Sequence, residues 1–466
     1  MSTISIGITA DTAQIWHTNE RINDIGLTCE TAATTLIVRA GKGLYKQLAK
    51  LTAKGSNVNY ALLLIAAGIA AFLITASHRP DAVLDPQFWA EDGKMWYQQA
   101  YNNGWLTALF TPEAGYYQTI SRIVAAASLL LPLAWAPAFF NITAITAKSI
   151  AAVFITSRRM SDAIPDVRAR LVLAFFYAAI PASYETTANL TNVQWHLALL
   201  AFLIIVARPA ATSAGRVFDA VFLALSALSG PFCLLLTPIA LVQVVIRRTK
   251  MSLLPLGIML IGSLIQASSL LSHERPSDQI LGATPALFLK ILGGHWFFNA
   301  IFGDANYARL LNRDLWSTGA AAAFVAIGVL TIGYAFLKAK SELRLLIVFA
   351  CLIVMTALIM PAISRDDPQW QIMAREMVGS RYWLIPIFTF FASAMWIAFR
   401  SKVRGMRYAY AGVLILSLTG IYADWRQPKF QDLKFREHAA EFDAAPAGAV
   451  VVIPINPNWE MRLIKK

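Results

Sequence analysis

The chain has 466 residues, of which 57% are hydrophobic and 14% charged, whereas a soluble chain carries about a quarter charged residues. With a mean hydropathy of +0.54, this composition excludes an ordinary water-soluble enzyme. The net charge of +13 reads as the lysine and arginine excess of cytoplasmic loops rather than as a nucleic-acid surface, and three cysteines make no disulfide framework.

The first 57 residues form a polar lead that ends in RAGKGLYKQLAKLTAK. Arg39, Lys42, Lys46, Lys50 and Lys54 predict an amphipathic helix on the cytoplasmic membrane face and place the N-terminus inside. A first crossing over about 58–76 then puts the loop 77–135 outside. The apolar stretch 119–157 is too long for one helix and is interrupted by LLPLAWAP. Two crossings would strand SRRMSDAIPDVRAR (157–170) outside. The charge rule therefore favours one crossing at 136–157, preceded by a short helix in the outer leaflet. Further crossings are expected near 171–184, 194–208, 217–229, 231–246, 252–272, 317–337, 343–363, 383–399 and 407–423. The expected fold is thus an all-α polytopic membrane protein of about 11 transmembrane helices, with outer-leaflet surface helices.

Charge supports this register. The five inside connectors (157–170, 208–216, 247–250, 338–344, 400–407) hold 16 lysines and arginines against three acids, Asp162, Asp166 and Glu342. A wrong crossing would invert everything downstream and scramble that bias. The membrane domain covers 58–423, with outer loops at 77–135, 273–316 and 364–382. The tail 424–466 is read as extracytoplasmic. It holds a KFREHAAEFDAA helix and a β-branched run in AGAVVVIPINPNWEMRL ended by Pro454 and Pro457, a small α/β piece.

Polar residues gather outside. DPQFWAEDGKMW (85–96) sets Glu91 and Asp92 among aromatics, and the same loop carries Glu113, Tyr116, Tyr117 and Arg122. As a plain loop, these acids would cap or solvate it. ETTANLTNVQWH (185–196) joins two membrane helices yet offers Glu185, Asn189, Asn192, Gln194 and His196 near the bilayer, which fits a cavity lining better than a turn. The long loop after 272 has an apolar, aromatic middle that predicts a helix on or dipping into the membrane. His273 and His295 lack metal-ligand spacing. Arg375, Arg381 and Tyr382 precede a late membrane helix, where snorkelling explains one arginine and an anion site explains several.

Outward acids, surface arginines and apolar outer-leaflet helices together fit glycosyl transfer from a lipid-phosphate sugar. A carboxylate takes the acceptor's proton, and a cation or metal stabilises the departing phosphate. The chain resembles the GT-C superfamily of membrane glycosyltransferases in its first-loop acids Glu91 and Asp92, the surface helices of 93–135, RYWLIP before a late helix and the small C-terminal piece. That resemblance implies a polyprenyl-phosphate sugar donor, a glycan, lipid or protein acceptor, and a bacterial cytoplasmic (inner) membrane. It puts the base, or a ligand for a divalent metal (Mg or Mn), on Asp92 or Glu91, with Asp92 the first choice of base and Glu91 its partner or a metal ligand. Arg381, Arg375 and Arg122 are candidates for donor phosphate, and Glu185, His196 and Tyr382 for the site lining. The rival is a transporter or flippase of lipid-linked sugars, favoured by Lys148 and Asp219 within helices. A noncatalytic scaffold would not need Glu91, Asp92 and Arg381 together.

Overall fold

The computed structural model describes residues 57–272, 280–364 and 367–466. The basic lead up to residue 56, His273, Arg365 and Asp366 lie outside the described residues. The protein is mostly helical, with one small antiparallel sheet near the C-terminus.

Among the described residues, six helical stretches are long and apolar enough to cross a membrane: Asn59–His78, Leu133–Thr156, Lys250–Ser272, Thr318–Lys338, Ser341–Ile359 and Ser380–Arg400. They coincide within a few residues with six of the eleven expected crossings. The first, α1 (Asn57–His78), is built from Ala, Leu and Ile and stops just before Pro80, which cannot continue a helix. The second expectation also holds. Helix α2 (Thr119–Ser128) is separate, and α3 (Ala136–Thr156) begins anew with Pro137 in its first turn, a position that needs no N–H donor.

The other five expected crossings are helices too, but they do not meet the length and composition of a span. Four are short: α4 (Val167–Ala178), α5 (Val193–Val206), α6 (Ser213–Ala227) and α7 (Phe232–Arg247), of 12, 14, 15 and 16 residues. At ~1.5 Å per residue they reach roughly 18–24 Å, short of a hydrocarbon core of about 30 Å. Helix α4 ends early because Pro181 biases the residue before it away from helix. The fifth, α13 (Arg404–Ala423), is long enough, but Arg404, Arg407 and its glycines and tyrosines dilute its apolar character.

Every residue of α5 is buried, as expected of a helix that is apolar all round. Burial continues upstream through the mostly irregular segment 179–192, which holds one 3-10 turn at Tyr184–Thr186 and where only Tyr184 and Glu185 are partly exposed. Backbone away from both water and helix needs its polar groups satisfied internally, and this requirement shapes the candidate site. At the opposite ends of these helices the basic connectors are tied down. Arg159 pairs with Asp219 at 2.5 Å, Arg208 pairs with Asp162, and Arg247 donates to the carbonyls of Ile205, Val206 and Ala207 that end α5.

The tail folds as α14 (Phe435–Ala444) followed by a hairpin of β1 (Val450–Ile455) and β2 (Trp459–Ile464). Pro454 does not end the strand as expected. It lies in the ladder opposite Glu460, a placement open to proline at a sheet edge. Phe435, Ile453, Met461 and Leu463 share one core with Phe88, Trp96 and Tyr97 of the 77–135 loop. The outer edge of β2 is met by side chains of the short helix Gln98–Asn103. Arg462 N–H donates to Gln98 at 2.7 Å, Asn102 donates to the Arg462 carbonyl at 2.8 Å, and Ile464 N–H donates to Asn102 at 3.1 Å.

Candidate functional site

The two polar stretches picked out in the sequence, 85–96 and 185–196, meet in the structure. Asp92 opens a π-type helix, Asp92–Tyr97, whose widened turn closes from Gln98 N–H to the Gly93 carbonyl; such turns are uncommon and concentrate at functional positions. Gly93 permits the fit, since a Cβ there would stand 2.9 Å from Ile455 Cδ1.

Asp92 is 1% exposed. Its Oδ2 accepts the Leu190 N–H at 3.0 Å, and its Oδ1 accepts both the Thr191 N–H at 2.9 Å and the Thr191 hydroxyl at 2.7 Å. Trp96 Nε1 donates to that same hydroxyl at 2.8 Å. Asp92 therefore serves the buried segment as a backbone acceptor. Burial pushes its carboxyl up to about 7, against the pull of these donors.

Glu91 is placed differently. It is half-buried, and its carboxylate makes no hydrogen bond with any described residue. Its charge acts on Glu113, whose carboxyl burial pushes up while Arg122 draws it down. Arg122 is buried against the Trp96 ring at 4.6 Å and donates to Gln99 at 2.6 Å and to the carbonyls of Met95 and Thr111. Burial lowers it to about 10.

A second group forms at the other end of the 185–196 segment. Glu185 accepts from Arg381 Nη1 at 2.8 Å and from the backbone N–H groups of Gly379 and Arg381. Its own N–H donates to Ser380 Oγ at 3.0 Å. Arg381 also donates to the Ala362 carbonyl and lies over the Tyr382 ring at 4.7 Å. Its charge is thus already matched. Arg375 is exposed and stands apart from this group. His196 is buried, within hydrogen-bond reach of the Tyr177 hydroxyl at 2.7 Å and the Thr186 carbonyl at 2.9 Å, so its role is inside the protein rather than on a surface.

Two acids central to the architecture were not anticipated from the sequence. Asp424 accepts the N–H groups of Asp304, Ala305 and Ala182 at 2.7, 2.9 and 2.8 Å. It thereby caps helix α9 (Asp304–Leu311) and holds the start of the buried segment. Asp304 accepts from Asn299 and Met377, and burial, with Asp424 beside it, pushes its carboxyl up to about 7. A signal was present: Asp424 directly follows α13, and an acid at a helix C-terminus is unfavourable unless it serves something else.

Among the described residues no three His, Cys, Asp or Glu side chains converge on one point. Asp92, with both oxygens committed, does not join Glu91 in a ligand pair. The arrangement offers one uncommitted carboxylate, Glu91, with Glu113 and Arg122 nearby, beside a buried segment whose backbone is held by Asp92 and Asp424 and tied through Glu185 to the 379–381 backbone. Comparison with known families finds no matching family model, and no curated protein matches the sequence.

Proposed function

We propose that the chain is an integral membrane glycosyltransferase that moves a sugar from a polyprenyl-phosphate donor to a glycan, lipid or protein acceptor. It acts on the outer face of a bacterial cytoplasmic membrane. In this reading the N-terminus is cytoplasmic and the C-terminal tail extracytoplasmic. The short helices α4 to α7 and α13 bring the bundle to eleven helices, with α5 buried inside it. The observation that carries the proposal is the division of labour between adjacent acids: Asp92 is locked to backbone while Glu91 keeps its lone pairs.

Glu91 is accordingly the base of this proposal. It takes the proton of an acceptor hydroxyl as that oxygen attacks the anomeric carbon, and the bond from that carbon to the phosphate oxygen breaks with its electron pair leaving on phosphate. Among the described residues of the 364–382 loop, Arg375 is the arginine with an exposed side chain for the departing charge. Arg381, matched by Glu185, holds the loop in place. Glu91 with Glu113 is the pair that would meet a divalent cation, and no step here passes through one.

The test is sugar transfer in membranes supplied with mixed polyprenyl-phosphate sugars. Glu91→Gln should abolish product at matched expression and unchanged melting temperature. Full activity in that variant would sink the assignment of the base. The second reading, transport of lipid-linked sugar, is favoured by Lys148, a buried charge inside the stretch Leu133–Thr156. Its other sequence indicator, Asp219, is matched by Arg159. Movement of labelled lipid-linked sugar across vesicles without any transfer would establish it instead.

A further inference from the structure

Lys148 is 1% exposed on α3, and its ammonium has no hydrogen-bond partner. A cation stripped of water and left unpaired is costly, so an ionisable group buried at membrane depth marks a site where something matches it. The surroundings show what that is. Thr75 and His78, on the last turn of α1, are each 1% exposed, and neither the Thr75 hydroxyl nor either ring nitrogen of His78 has a partner.

The packing brings these groups together. A Cβ on Gly68 of α1 would stand 3.1 Å from Val153 of α3, and Asn141 of α3 donates to the Ala82 carbonyl just past α1 at 2.9 Å. The two helices therefore run antiparallel, with Thr75 and His78 level with the 141–148 stretch. Side chains lean toward a helix's N-terminus, which carries Lys148 toward His78. The lysine charge acts on both the His78 and His196 rings.

The local charge balance is positive. Arg426 donates to the Ser77 carbonyl at 2.6 Å and its charge also acts on His78. Arg79, the next residue, is 1% exposed, with its guanidinium over the Tyr184 and Phe430 rings and two of its nitrogens unpartnered. Asp81 is the acid whose charge Arg79 feels. Its Oδ2 accepts from Phe430 N–H, and its Oδ1 is unpartnered.

We propose that Lys148, His78 and Thr75 form an internal anion site that takes a phosphate-class oxyanion. The donor set argues for that class. An unpartnered ammonium, imidazole and hydroxyl buried at one level of two packed helices match an ion with several oxygens pointing in different directions. A free phosphate and a phosphate carried on a lipid present the same oxygens. The proposal needs no sugar and no transfer, so it stands or falls separately from the transferase reading.

The experiment is thermal unfolding of the full chain in detergent micelles, titrated with inorganic phosphate, with farnesyl monophosphate, and with farnesol as the uncharged control. Wild type should be stabilised by at least one phosphate probe and not by farnesol. Lys148→Met, which keeps length and loses charge, should weaken the apparent Kd at least tenfold, and His78→Asn should weaken it in the same direction. Stabilisation by both phosphates assigns the site to the free oxyanion, and by farnesyl monophosphate alone to a lipid-borne one. A wild type indifferent to both probes overturns the proposal without reference to any variant. Folded Lys148→Met and His78→Asn proteins that bind as wild type does overturn it equally.

Discussion

Asp92 and Thr191, 99 positions apart in the chain, are joined twice: one carboxylate oxygen accepts both the backbone N–H and the hydroxyl of the threonine. A third donor, the Leu190 N–H, fills the other oxygen. The acid beside it, Glu91, has no such duties. Two neighbouring carboxylates thus face different worlds, one bound to buried backbone and one left without a hydrogen-bond partner among the described residues.

That division predicts opposite variant behaviour. At pH 8, where the Asp92 carboxylate is ionised, Asp92→Asn turns an amide nitrogen toward backbone donors and strands at least one of them. The expected loss is about 2–4 kcal/mol, from charge-assisted bonds of ~1.5–3 kcal/mol and an orphaned buried donor. Glu91→Gln should change stability by less than about 0.5 kcal/mol and lower transfer by roughly 10²–10⁴-fold. Thermal unfolding and transfer assays on the two proteins separate the roles. Equal melting temperatures would show that the Asp92 network does not hold the buried segment.

Acidity gives a second prediction. Asp304 is raised to about 7 when folded, against about 3.9 when unfolded. The folded state holds the extra proton, so this contribution is fully present below about pH 4 and is lost as pH rises to about 7. Asp92, raised likewise, has the same sign. His295, lowered to about 4 by burial, has the opposite one, its contribution being lost as pH falls. Asp304→Asn should therefore flatten the fall in stability between pH 4 and 7, by ~1.4 kcal/mol per pH unit relative to wild type. Melting curves at pH 5, 6, 7 and 8 measure it.

Glu185 and Arg381 should behave as one unit. Their side chains are 20% and 23% exposed, so removing either leaves the other mostly buried and uncompensated. Glu185→Gln or Arg381→Gln alone is expected to cost about 2–3 kcal/mol, at or below the low end for a fully buried pair. The double variant should cost clearly less than the sum. A double-mutant cycle by thermal unfolding reads the coupling, and simple additivity would show that the pair is not coupled.

Gly230 stands between α6 and α7 at φ +95°, and a Cβ there would fall 2.0 Å from Gln194 Oε1. Gly230→Ala should destabilise by about 1–3 kcal/mol from the backbone alone, with steric displacement of Gln194 added. Adding Gln194→Ala should recover the steric part and leave the backbone part. Complete recovery in the double variant would mean that the backbone conformation carries no cost.

Sequence reading located the spans because apolar runs are a local property. It also separated α2 from α3, since Pro132 and Pro137 break the run where the structure breaks it. It overcounted crossings because hydropathy cannot tell a helix facing lipid from one facing protein: α5 is as apolar as any span, yet it is short and buried on every side. It singled out two stretches that meet in the structure but not the partners within them. Nothing near Asp92 names Thr191, and nothing near Arg381 names Glu185, because those pairings follow from how a buried loop must satisfy its backbone. The widened turn at 92–97 was invisible for a related reason, since its Gly93 lies close against Ile455 of the distant tail.

The glutamine and asparagine that meet β2 have a consequence for the protein in a crowd. A two-stranded ribbon ordinarily shows a bare row of donors and acceptors that another chain can extend. Here Gln98 and Asn102, one helical turn apart, stand in for the missing neighbour at Arg462 and Ile464. That margin is closed to strand addition, and the last residues of the chain are fastened to a helix formed more than 350 positions earlier. The final strand and the loop carrying Glu91 therefore support one another, so that loosening either one exposes the other.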